Sequence, residues 1–106
     1  MNLPEPVQTY FTARAPQDAT LLAAAFAPHA EVQDEGQTLR GTQQILSWWQ
    51  AAKAKYKHSA EPLEMRETDG KTVVRARVSG DFPGSPAVLT FTFGLSGHQI
   101  TCLEIK

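Results

Sequence analysis

The period of the hydrophobic pattern changes near His58, and that change narrows what the chain can fold into more than any other feature of it. Before it, apolar residues recur mainly at the three- and four-residue spacings of helices. Leu3, Val7, Tyr10 and Arg14 share one helical face with Phe11 on its flank, which predicts a helix over 4–15. Pro4 and Pro6 fit its first turn, and Pro16 stops it. Asp18 is the expected cap of a short second helix carrying Leu21, Leu22, Ala25 and Phe26, with Pro28 beyond as its stop. Thr42 is the expected N-cap of a third helix over 43–57, with Ile45, Trp49, Ala52 and Tyr56 in one stripe and Trp48 beside it.

From His58 onward apolar and polar residues alternate. Asp69-Gly70 marks a two-residue hairpin between strands at 59–68 and 71–79, which sets Met65 against Val74, Leu63 against Ala76 and Glu64 against Arg75. Pro62 points to an edge or a bulge there. After the turn-forming run 80–86, Leu89, Phe91 and Phe93 form one apolar face, and Gly94 to Gly97 lead into a last strand at 98–106. In that strand Ile100, Cys102 and Glu104 alternate with Thr101, Leu103 and Ile105. Two brief strands, 31–34 and 37–40, lie between the second and third helices and are joined through Glu35-Gly36. Helices grouped early and hairpins late give an α+β domain, its helices packed on a curved antiparallel sheet around an apolar interior.

The 106 residues read as one domain, 1–106, small enough that a homodimer is expected to help its stability. With a net charge of −1 and scattered Lys and Arg, the chain has no basic stripe for a nucleic acid backbone. Lys53, Lys55 and Lys57 read as partners of the negative pole of the third helix. One cysteine, Cys102, leaves no internal disulfide and no Cys-based zinc site, and no leader or membrane-spanning run is visible. The expected setting is therefore cytoplasmic, with no membrane contact. His29, His58 and His98 sit at element boundaries without a metal-ligand spacing and read as surface residues, and no cofactor motif is present.

Three stretches in this order carry a resemblance: Phe26-Ala27-Pro28-His29-Ala30-Glu31-Val32-Gln33-Asp34, then Gly41-Thr42-Gln43-Gln44-Ile45, then Phe91-Thr92-Phe93 followed by Gly97-His98-Gln99-Ile100. With them the chain resembles the nuclear transport factor two-like superfamily, in particular SnoaL-like polyketide cyclases and ketosteroid isomerases. The resemblance implies a cone-shaped, cystatin-like roll of three N-terminal helices on a mostly antiparallel sheet. It also implies a proton-abstracting Asp late in the first strand, matched by Asp34, and an oxyanion-binding Tyr on the first helix, matched by Tyr10. The second oxyanion donor of the isomerases is an acid near the start of the penultimate strand, where this chain has Leu89. That departure implies a slower or different reaction, or binding alone.

Asp34 and Tyr10 together suit proton abstraction beside a carbonyl, provided burial raises the carboxylate pKa and the phenol meets the enolate. Read by itself, Asp34 beside Glu35-Gly36 is also a solvated turn residue, and Tyr10 a core tyrosine. Phe26, Trp48, Trp49, Leu89, Phe91 and Phe93 are the expected walls of a site for a small apolar molecule, and equally suit a plain core. Glu104, sharing the Ile100 and Cys102 face, would add a second carboxylate if that face were concave. The competing reading is a non-catalytic domain that binds a ligand or pairs with itself through Thr90, Thr92, Thr101, Leu103 and Ile105.

Overall fold

The structure, a computed structural model, describes residues 1–106. Helix α1 (Glu5–Thr12) starts behind Pro4 and buries Val7 and Phe11. It ends three residues before the expected Ala15, because the Asp18 carboxylate takes the N–H groups of Arg14 and Ala15 at 2.9 and 3.0 Å and draws that backbone out of the helix. Asp18 therefore acts backward on this turn and does not cap α2 (Ala19–Ala25) with its side chain. Strand β1 (Phe26–Asp34) follows at once, so Phe26 opens a strand and Pro28 lies within it. Proline is accepted there because the β1 pairing with the last strand lapses between Phe26 and Glu31.

A hairpin at Glu35-Gly36, both at positive φ, returns the chain along β2 (Gln37–Arg40). Helix α3 (Gly41–Tyr56) begins with Arg40, not Thr42, at the N-cap, and Gln44 Oε1 accepts the Arg40 N–H at 2.8 Å. The remaining strands are β3 (Ser59–Thr68), β4 (Lys71–Ser79), β5 (Ala87–Ser96) and β6 (Gln99–Ile105). They make one six-stranded sheet in the order β2-β1-β6-β5-β4-β3, antiparallel except where β6 runs parallel to β1. Fold class and helix number agree with expectation. None of the helices is long and apolar enough to cross a membrane.

Two irregularities in the sheet decide which side chains face inward. On β3, Glu64 meets Arg75 and Met65 meets Val74 as expected, but Pro62 takes Ala76, so Leu63 is the extra residue of a bulge and is exposed. On β6, Gly94 of β5 meets Cys102 while Leu95 meets Ile100, leaving Thr101 as the extra residue. That extra residue switches the alternation: Ile100 and Leu103 are both fully buried, and Glu104 no longer shares the face of Ile100. The strand-face expectations for Leu63 and Glu104 are thereby corrected. Leu103 in the core is also not free to join a self-pairing surface.

The core lies between this sheet and the helices. Leu22, Ile45 and Trp49 from α2 and α3 meet Val32, Val74, Phe91, Phe93, Ile100 and Leu103 from the sheet. Near the open end of the cone this packing stops short, and a cavity remains.

Candidate functional site

The cavity, open on one side, has a volume of about 390 Å³, and eleven of its sixteen lining residues are hydrophobic. Its walls are Trp48, Trp49, Ala52 and Tyr56 of α3, Tyr10 and Phe11 of α1, and Phe91, Val78, Ala60 and Ile105 of the sheet, with Phe82 and Pro83 from the β4–β5 loop. A second concavity, of about 420 Å³, lies among Leu3, Arg14, Glu61 and Arg77, but only four of its twelve lining residues are hydrophobic. The more apolar of the two, with a few polar groups converging on it, is the candidate site.

Asp34 reaches the cavity through strand parity. Ala30, Val32 and Asp34 lie two apart on β1, the first two are fully buried under the helices, and Asp34 therefore turns inward as the hairpin begins. The indole Nε1–H of Trp48 donates to its Oδ2 at 3.2 Å. Burial raises the Asp34 pKa above the usual aspartate value; the Trp48 hydrogen bond opposes the rise, and the neighbouring Glu35 charge adds to it.

Tyr10 is held by its ring. Phe11, Phe93, Phe91 and Phe26 surround it with centroids 5.3, 5.7, 6.0 and 6.3 Å away, mostly edge to face. Its hydroxyl has no partner within the protein and is not sealed off from the cavity. Burial first, and the Asp34 charge second, push the phenol pKa well above its ordinary value, so at neutral pH it is a hydrogen-bond donor.

Of the residues singled out in the sequence, Asp34, Tyr10, Trp48, Trp49 and Phe91 come together here. Phe26 and Phe93 are buried behind Tyr10 in the core and do not line the space. Leu89 packs against the core opposite Ala76, outside the cavity. Glu104 does not line this cavity but an adjoining polar groove with Gln33 to Thr38, and the two spaces share Asp34, Glu35 and Ile105.

Two further lining residues belong to the site: Lys53, read from sequence as a partner of the α3 dipole, and His58, read as a surface residue. Lys53 is half-buried, and its Nζ donates to the His58 carbonyl at 3.0 Å. Burial, and then the charge of Arg14, lower its pKa. His58 is half-buried too, and burial followed by the Lys53 charge favours its neutral ring. The signal for Lys53 was present in the sequence: it lies four residues after Trp49 on the same helical face. His58 was marked by nothing but its place after the helix.

The sequence model of the SnoaL-like domain matches residues 7–102. The chain belongs to the SnoaL-like domain family. A solved structure of a candidate polyketide cyclase from Sinorhizobium meliloti is 46% identical to this SnoaL-like chain and superposes with a TM-score of 0.92, over 98% of this chain and 95% of the other. A protein with a ketosteroid isomerase-like fold from Catenulispora acidiphila, solved with trimethylamine, is 20% identical with a TM-score of 0.83, over 99% and 86% of the two chains. An LEH-like epoxide hydrolase of M. tuberculosis is 10% identical with a TM-score of 0.78, over 96% and 79%. At the last two identities the likeness concerns the SnoaL-like fold alone. No curated protein matches the sequence.

Proposed function

We propose that this SnoaL-like protein binds a small apolar carbonyl compound and moves a proton beside its carbonyl, in isomerase- or cyclase-type chemistry. The observation that carries this is the inward-facing Asp34, half-buried with a raised pKa, sharing one aromatic cavity with a Tyr10 hydroxyl that has no partner in the protein. Asp34 takes the proton from the carbon next to the carbonyl, the electron pair moves onto the carbonyl oxygen, and the Tyr10 O–H donates to that oxygen. Trp48 holds the carboxylate in place and is itself occupied by it, so it does not serve as a second donor to the oxygen. Leu89, outside the cavity, supplies none either. Support for the alternative, a protein that binds without turnover, comes from that same shortage of donors.

The test is exchange of the α-protons of 2-tetralone in D2O, followed by proton NMR. Wild type is expected to exchange them faster than buffer, Asp34→Asn to lose the excess rate, and Tyr10→Phe to lose about 10²–10³ of it. Tight binding with no excess exchange in wild type would replace catalysis with the binding reading.

A further inference from the structure

The cavity has a second polar end, which the proton-transfer reading does not use. Trp49, Ala52, Lys53 and Tyr56 follow one another along the inner face of α3, and all four line the space. Trp48, bonded to Asp34, and Lys53 are five residues apart on α3, an offset of about 7.5 Å between the two residues along the helix axis. Trp49 and Phe91 line the same space and supply apolar wall.

Lys53 is a half-buried cation with no acid beside it. It belongs to none of the four ion pairs: Arg40, Arg75, Arg77 and Lys106 take the carboxylates of Glu31, Glu64, Glu61 and Glu104. The charge acting on it is that of another cation, Arg14. One of its three N–H groups is satisfied by the His58 carbonyl, and two remain. Beside it His58, also lining the cavity, favours a neutral ring that can donate or accept. Taking a cation out of water without an anion is unfavourable, and a ligand carboxylate in the cavity would offset that cost.

We infer that the substrate is an oxo acid: an apolar body with a carbonyl at the Asp34 end and a carboxylate at the Lys53 end, held by Nζ with the His58 ring beside it. The carbonyl half of this statement rests on the proposed function above, and the carboxylate half does not. The ligand class also accounts for the charge layout of the cavity, in which an acid and a base occupy opposite ends and do not pair with each other.

The probes are 5-oxo-5-phenylpentanoate and its primary amide, equal in shape and different in charge, with dissociation constants measured by calorimetry. Wild type is expected to bind the carboxylate at least about tenfold more tightly than the amide, in keeping with a hydrogen bond to a charged group. Lys53→Met is expected to remove that preference, and Lys53→Arg to keep it. Asp34→Asn is expected to retain the preference even though it loses proton exchange, so the failure of one reading is distinguishable from the failure of the other. Equal binding of the two probes to wild type, a preference that survives Lys53→Met, or no binding of either probe at millimolar concentration overturns the inference.

Discussion

Replacing Gly80 with alanine is expected to lower the melting temperature by about 6–36 °C, although the change adds one methyl group. Gly80 follows β4 and passes under the end of α3. A Cβ built there falls 2.7 Å from the Tyr56 carbonyl oxygen, 2.8 Å from His58 Cα and 2.9 Å from His58 Cβ. None of these atoms can be cleared by rotating a flexible side chain, so backbone has to move. The segment is also tied down: the Gly80 N–H donates to Ser85 Oγ at 2.9 Å, and the Asp81 N–H donates to the same Tyr56 carbonyl at 2.7 Å. Overpacking of this kind costs about 1–3 kcal/mol, and loss of the Asp81 hydrogen bond about 0.5–1.5 more. For a domain of this size each kcal/mol is about 4–8 °C. Far-ultraviolet circular dichroism during heating measures the effect, and NMR of the His58 ring reports whether the basic end of the cavity has moved. A melting temperature within about 3 °C of wild type would refute the claim that this contact is rigid.

Phe93→Ala, at a fully buried position among Tyr10, Phe11 and Leu103, is expected to cost about 3–5 kcal/mol in denaturant titration. Asp34 binds its proton more tightly folded than unfolded, so it lowers stability as pH rises from the ordinary value of 3.8 through its raised folded value. Asp34→Asn, which does not titrate, should therefore gain stability relative to wild type along that pH series, and a relative loss would contradict the sign. Trp48→Phe removes the one hydrogen bond that opposes this rise, so the Asp34 carboxyl is expected to titrate higher still in carboxyl-carbon NMR.

Local signals in the sequence were reliable where one turn or one helix governs the outcome. Asp69-Gly70 set the register of β3 and β4 near the turn, so Met65 and Val74 are partners. The stripe on α3 brought Ile45 and Trp49 into the core. What was not legible depends on contacts between distant segments. The bulges at Leu63 and Thr101 answer to pairing partners on other strands, and the second of them moved Glu104 from a possible wall of the cavity to an outer groove. Pro28 resembles a helix stop until β6 is seen to leave a gap beside it. Asp34 and Tyr10 could be placed in one space from the resemblance, whereas the Trp48 hydrogen bond to Asp34 spans fourteen residues and has no sequence signature. Lys53 does lie in the last turn of α3, as its reading as a dipole partner required, and that ordinary explanation concealed that it also lines the cavity.

The place of β6 has a consequence for how the protein is made. It is the last strand in the sequence, yet it sits inside the sheet between β1 and β5 and supplies the only link between the two flanking groups of strands. While a ribosome is still making this chain, β3, β4 and β5 can form a meander and β1 can pair with β2, but the two groups have no shared edge. The cavity has walls in both groups and therefore closes only after Ile105, itself one of its lining residues, has emerged. Until then the facing edges of β1 and β5 remain open to other strands, and the seven residues of β6 cover both of these edges against aggregation of the nascent chain.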